Sequence, residues 1–261
     1  MADLRDSLWI WGLEPNFHNK AFGLESRMTA AEGALYMGIR NIYMVVNFNK
    51  PEPPFDQYSR SFTTFNQVKW SIIGDISSDR TDVPFGDLDE VLRQAEMFDN
   101  VTGGVLDDFF NHKDRAKIYT PDKIKYIQDK MHNFHKRPLD LWCVYYPEND
   151  NSRAHLENVD GAHMWTWDEK DLSIFHERYN KFKADTEGKR RMLGIYCLNY
   201  SEEINGHPTT VENMKFQLET YTELLVKGEI EGIIFCSNTA MDCNLPCVEF
   251  AKKWIEDNHK I

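Results

Sequence analysis

Residues 101–109 read Val-Thr-Gly-Gly-Val-Leu-Asp-Asp-Phe, a short apolar run of strand length that ends abruptly on two adjacent carboxylates. Upstream, residues 88–98 carry apolar side chains at helical spacing, and downstream a second helical pattern covers 121–133. The run is therefore a strand between two helices, and the same alternation extends in both directions. Toward the N-terminus lie strand-like runs at 69–74 (KWSIIG), at 41–47 (NIYMVVN), followed by a Pro-rich loop, and at 7–13 (SLWIWGL). After the first of these in chain order, Thr29 with Glu32 three residues on has the pattern of a helix capping box. Toward the C-terminus come 139–146 (LDLWCVYY), 161–166 (GAHMWT), 191–198 (RMLGIYCL) and 232–237 (GIIFCS), with helical stretches at 170–183, 211–227 and 245–258. The thinnest connection is 149–159, which has room only for a short helix.

Eight strand–helix units of roughly 30 residues fit the crossover length of parallel βαβ structure. Eight units with nothing left over predict a closed (β/α)₈ barrel, a fold that needs about 250 residues, and the chain has 261. An open doubly wound sheet is the competing fold. No Gly/Ser linker or composition shift marks a boundary, so residues 1–261 are expected to form a single domain.

Composition narrows the function classes. At 41% hydrophobic and 28% charged residues, the chain is an ordinary globular protein. A net charge of −12 offers no basic patch for phosphates, so nucleic acid is not an expected partner. No apolar run approaches a membrane span, and the first residues lack the layout of a signal peptide. The expectation is a soluble protein, cytoplasmic as the sequence stands, and secreted if a signal has been removed. The odd count of five cysteines is too small for a disulfide scaffold. Oligomeric state is not readable.

In such barrels chemistry sits where strands run into the following helices. Those positions hold Trp11, Glu14 and His18 near the first strand, Asn47 after the second and Asp75 after the third. They continue with Asp107 and Asp108, Tyr145, Tyr146 and Glu148, then Trp165, Trp167 and Asp168, then Asn199 and Tyr200, and finally Asn238. Nearly every strand end thus offers a carboxylate, a carboxamide or a ring. Alternation along a strand predicts that only one of Asp107 and Asp108 faces the barrel mouth. A carboxyl walled by Phe109 and Phe110 would be desolvated and suited to hold a proton. The 13% aromatic content, including seven Trp, suits stacking on the apolar faces of sugars, although Trp9, Trp70, Trp142 and Trp254 read as packing.

The run GGVLDDFF at 103–110 resembles the fourth-strand motifs of (β/α)₈ glycoside hydrolases, in which an acidic residue there is a catalytic acid or nucleophile. The likeness covers about eight residues plus the strand–helix count and matches no single family's full signature. It departs from the largest such clan in having Asn199-Tyr200 where a glutamate follows the seventh strand. The resemblance therefore implies a carbohydrate-active barrel whose second carboxylate comes from another loop. Asp168 is favoured because α-glycosidase barrels pair acids from strands four and six; Glu148, Glu14 and Asp75 are the other choices.

Two alternatives stand beside this reading. One is a metal-dependent sugar isomerase or hydrolase using Glu14, His18, Asp75, Glu148 or His207 as ligands, although neither a His-x-His after the first strand nor HExxH is present. The other is a catalytically silent carbohydrate-binding barrel. No bound cofactor or metal is expected: GxGxxG and GxxxxGK[ST] are missing, the loops after strands seven and eight lack a glycine-rich phosphate turn, and no GxSxG elbow occurs.

Overall fold

The Thr29 capping box forms as the sequence predicts: the Glu32 backbone N–H donates to Thr29 Oγ1 at 3.2 Å, and the Glu32 carboxylate accepts from the Thr29 N–H at 2.8 Å. It opens helix α1 (Ala30–Met37), which Gly38 closes in the left-handed conformation at φ 71°. In the computed structural model, which describes residues 3–16, 23–110, 115–147, 153–201 and 206–260, this helix belongs to the first of eight successive strand–helix units.

The strands are β1 (Leu8–Gly12), β2 (Asn41–Met44), β3 (Gln67–Ile73), β4 (Val101–Leu106), β5 (Asp140–Tyr145), β6 (Gly161–Met164), β7 (Arg190–Tyr196) and β8 (Gly232–Cys236). All neighbours pair in parallel, and β1 also pairs with β8, from Leu8 opposite Ile233 to Trp11 opposite Cys236. The sheet is a closed (β/α)₈ barrel. Around it run α2 (Asp56–Ser61), α3 (Leu88–Met97), α4 (Arg115–Ile118), α5 (Pro121–His132), α6 (Arg153–Leu156), α7 (Phe175–Asp185), α8 (Val211–Val226) and α9 (Pro246–Asn258).

Three local features differ from expectation. The segment after β2 contains α2, whose flanking Phe55 and Phe62 pack on Trp70, Phe55 stacking on the indole at 4.3 Å. The predicted helix 170–183 divides into a 3₁₀ segment, Glu169–Ile174, and α7. Strand β4 ends at Leu106, before its aspartates, and Asp108 adopts φ 40°. Asp is one of the few residues that enter this region at modest cost.

Alternation sorts the apolar residues into two cores. One face of each strand packs on the helices through Ile10, Ile42, Trp70, Ile72, Leu141 and Tyr145, among others. The other fills the barrel with Trp9, Trp11, Tyr43, Trp142, Trp165 and smaller side chains. The indoles fit because glycine stands opposite them. A Cβ on Gly194 would lie 2.0 Å from Trp165, and one on Gly161 would lie 2.4 Å from Trp142. His163 lies among these rings, stacked on Trp142 at 5.2 Å with its Nε2 2.9 Å from the Tyr43 hydroxyl. Burial pushes its pKa well below that of an ordinary imidazole, so it is neutral.

At the N-terminal end of the barrel, Lys69 is buried and pairs with Asp140 at 3.0 Å. Asp140 also pairs with Arg190 at 2.6 Å, and Arg190 reaches Glu231 at 3.6 Å. Each charge at this end faces an opposite one. Among the described residues no helix is long and apolar enough to cross a membrane.

Candidate active site

At the C-terminal end all eight strands contribute to one cleft of about 230 Å³. Trp11 and Leu13 come from β1, Asn47 from the end of β2, and Asp75 and Ile76 from the end of β3. Asp107 and Asp108 follow β4; Val144 and Tyr146 belong to β5 and its end, and Trp165 and Trp167 follow β6. Tyr196 and Tyr200 follow β7, and Cys236 closes β8. The cleft has two sides: acceptor groups from β2, β3 and β4 oppose aromatic rings from β5, β6 and β7.

The acidic side is a cluster of three aspartates. Asp75 accepts hydrogen bonds from Asn47 Nδ2 at 2.6 Å, from Ser77 Oγ at 2.6 Å and from Ser78 Oγ at 2.8 Å. Asp108 accepts from the Tyr146 hydroxyl at 3.3 Å and from the Ile76 backbone N–H at 3.4 Å. The Asp108 N–H in turn donates to Asp107 Oδ1 at 2.8 Å. Both aspartates line the cleft because the chain leaves extended geometry between them: strict alternation would have turned one away, whereas the left-handed turn at Asp108 brings it round.

Burial and the facing charge of Asp75 push the Asp108 carboxyl up to about 6. Burial, and then the charges of Asp108 and Asp75, also raise the Asp107 carboxyl well above the ordinary carboxylate value. The cluster can thus hold a proton near neutrality in a buried cleft.

Arg115 braces this arrangement from behind. Fully buried, it donates to the carbonyl oxygens of Asp75 at 2.6 Å, Ser78 at 3.2 Å and Asp107 at 3.2 Å, to that of Gly74, and to Asp82 at 2.8 Å. One side chain therefore ties the loop after β3 to the loop after β4.

The opposite side is a run of rings. Trp165 lies 5.3 Å from Trp11 and 4.9 Å from Tyr196, and Tyr196 lies 4.6 Å from Tyr200. Tyr146 meets Trp167 edge-on at 5.2 Å, with Trp167 39% exposed at the rim. Burial raises the hydroxyls of Tyr146, Tyr196 and Tyr200 well above the usual phenol range, so they are neutral donors. It also pushes the Cys236 thiol up to about 12, which leaves little thiolate for nucleophilic chemistry.

This arrangement is the C-terminal pocket of a (β/α)₈ barrel, and solved structures share its frame. Solved glycoside hydrolase barrels have the same (β/α)₈ fold. A putative α-L-fucosidase from Bacteroides thetaiotaomicron superposes with a TM-score of 0.62 at 11% identity, over 98% of this chain and 94% of that one. A class V chitinase from Nicotiana tobaccum gives 0.60 at 12% identity, over 95% and 98%. A xylanase-α-amylase inhibitor protein, solved with trehalose, gives 0.62 at 10% identity, over 97% and 99%. No protein-family model matches the chain, and no curated protein matches it in sequence.

Of the residues singled out from the sequence, the barrel brings Trp11, Asn47, Asp75, Asp107, Asp108, Trp165, Trp167 and Tyr200 to the cleft, together with Tyr146. Others are placed elsewhere. Asp168 caps the 3₁₀ segment through the Lys170 N–H at 3.0 Å and pairs with the Lys170 ammonium at 2.9 Å. Burial raises its carboxyl, but hydrogen bonds from Lys170 and Ser201 outweigh that and hold it below the usual carboxylate range. Tyr145 points outward to the helix layer, where its hydroxyl bonds Asp185. Asn199 accepts from the Glu169 N–H at 3.0 Å and donates to the His207 carbonyl at 3.2 Å. Asn238 ties Leu13 to Met28 through their backbones. Glu14 accepts from the Tyr58 hydroxyl outside the cleft lining, and His207 is exposed. His18 and Glu148 lie outside the described residues. Among the described residues no three His, Cys, Asp or Glu side chains converge as a metal-holding group.

Tyr196, Cys236, Ile76 and Arg115 were not singled out from the sequence. The first two stand before the strand ends that the sequence marks, on the inward phase of β7 and β8, and that phase is the signal that finds them. Nothing in the sequence marks Arg115.

Proposed function

We propose that the barrel hydrolyses a glycosidic bond, with Asp108 as the proton-bearing carboxyl and Asp75 as the facing carboxylate. The observation that carries this reading is the cluster of three aspartates in one ring-lined cleft, in which burial and like charge keep a proton on the Asp107–Asp108 pair near neutrality. Glycoside hydrolysis needs one carboxyl to protonate the leaving oxygen while a second carboxylate attacks the anomeric carbon or activates water. Asp108 has the pKa for the first task, and the hydrogen bonds from Asn47, Ser77 and Ser78 orient Asp75 for the second. Trp167 at the rim and Trp165 and Tyr196 deeper in offer apolar faces to a sugar ring, while the Tyr146 and Tyr200 oxygens can accept from its hydroxyls. The fold shared with the fucosidase and the chitinase supports the assignment as an analogy.

The test is turnover of a panel of aryl glycosides. Asp108→Asn is expected to lower kcat/KM by about 10²–10⁴-fold, the usual contribution of a positioned general acid. In the wild type kcat/KM should fall as pH rises through about 6, because the acid must hold its proton to act. Unchanged rates in both Asp107→Asn and Asp108→Asn would sink the assignment. A second reading has its own support: among the described residues every cleft acid comes from the β3 and β4 loops, and none faces them from β5 to β8. Sugar binding without turnover would favour that silent barrel.

A further inference from the structure

We propose that Tyr146 is the positioning residue of the acid: its hydroxyl, itself held by that of Tyr196, bonds Asp108 across the cleft and steadies the carboxylate that remains once the proton is given up. This rests on the reading of Asp108 as the proton donor and names what tunes it.

Tyr146 follows β5, where the inward phase through Trp142 and Val144 turns its ring into the cleft. The residue is buried, and its edge-on contact with Trp167 at 5.2 Å fixes the ring. From there the hydroxyl donates to Asp108 Oδ1 at 3.3 Å and lies 3.4 Å from the Tyr196 hydroxyl, which comes from β7. A phenol has one proton to give. With that proton on Asp108, the Tyr146 oxygen accepts, and Tyr196 is the donor of the second bond. Tyr196, Tyr146 and Asp108 thus form a directed chain from the aromatic side of the cleft to the acidic side. In a desolvated site each bond of such a chain polarises the next.

The groups around Asp108 pull its carboxyl both ways. Burial and the charge of Asp75 on the β3 loop raise it, while the Ile76 N–H, Arg115 behind the loops and the Tyr146 hydroxyl lower it. Asp107 stands beside it on the β4 loop, accepting from the Asp108 N–H. Tyr146→Phe removes one O–H from this set and keeps the ring. In the reaction Asp108 passes its proton to the glycosidic oxygen as that oxygen takes the electron pair of the breaking C–O bond, and a carboxylate is left. A bond of 3.3 Å to a neutral acid is weak, but to a carboxylate it is charge-assisted. Its benefit therefore falls on the reacting state more than on the resting one.

The experiment follows the Asp108 carboxyl by carbon NMR across pH in aspartate-labelled protein, the signal assigned by its loss in Asp108→Asn, beside the pH profile of kcat/KM on aryl glycosides. In Tyr146→Phe the midpoint at about 6 is expected to move up by on the order of one pH unit. Maximal kcat/KM should fall about 10–10²-fold, the worth of a hydrogen bond to a charged group. Tyr196→Phe should move the midpoint the same way by less, and should move it no further when added to Tyr146→Phe, because it acts through that residue. A slower Tyr146→Phe enzyme with its midpoint in place would show a ring that only packs, and overturns the inference, as does a midpoint that moves down. If Tyr146→Phe does not fold, Tyr196→Phe decides alone, and an unmoved midpoint there overturns the inference. An upward move in a protein that cleaves no aryl glycoside upholds the chain of bonds and removes the hydrolase reading. Cleavage that survives with an unmoved midpoint removes the chain and leaves that reading standing.

Discussion

The two ends of the barrel hold charged groups in opposite ways. At the N-terminal end Lys69 meets Asp140, Asp140 meets Arg190, and Arg190 meets Glu231, so buried charge is balanced within one network. At the C-terminal end Asp75, Asp107 and Asp108 gather in one cleft, and among the described residues the cation that braces them, Arg115, is turned onto backbone carbonyls and Asp82. Charge that serves the fold is paired by the fold. Like charge gathered in a desolvated cleft raises carboxyl pKa values and costs stability, a pattern expected at functional sites.

Breaking the comparison at its functional end gives the largest expected effect, the loss of about 10²–10⁴-fold in kcat/KM for Asp108→Asn. At the structural end, Lys69→Met should cost about 2–4 kcal/mol in denaturant unfolding, because it leaves Asp140 without one of its cations while that carboxylate retains partial solvent contact. Adding Asp140→Leu should recover part of that loss, and failure to recover any would mean that Lys69 acts by packing alone.

The third expectation returns to Asp108 and reads stability in place of rate. Its folded carboxyl titrates at about 6, against an ordinary unfolded value near 3.9. Between those pH values the folded protein keeps a proton that the unfolded chain releases, so wild-type stability falls as pH rises through this window. Asp108→Asn, compatible with the left-handed backbone there, should therefore be more stable than wild type by on the order of 2 kcal/mol at pH 7, with the gap closing near pH 4. A loss of stability at pH 7 would show that this end of the barrel is not strained by charge. The smallest effect lies at neither end: Thr29→Ala should cost about 1 kcal/mol through its cap, with the pH profile of activity unchanged.

Much of this contrast is legible in the sequence, and the parts that are not share a cause. The alternation of short apolar runs and helical stretches predicts the barrel because each unit buries its faces in a fixed order. The strand-end rule then finds Asp107, Asp108, Asp75 and Asn47, since closure must bring those loops together. Tyr145 and Tyr146 show the first limit. Alternation says they face opposite ways, and only the phase running through Trp142 and Val144 tells that Tyr146 is the inward one. At Asp168 a helix cap and a cleft acid look alike in sequence, and the local bonds to Lys170 decide. Arg115 marks the deeper limit. Its partners are carbonyl oxygens as far as 41 residues upstream, and a backbone carbonyl has no sequence signature.

Gly194 sets the depth of the cleft without lining it. A methyl group at this position would lie 2.0 Å from Trp165 and force the indole to shift among its ring neighbours Trp11 and Tyr196, which line the cleft with it. The size of the cleft is therefore adjustable from a residue that does not line it. A small side chain at that position would reshape the aromatic side of the cleft while Asp75, Asp107 and Asp108 stay in place.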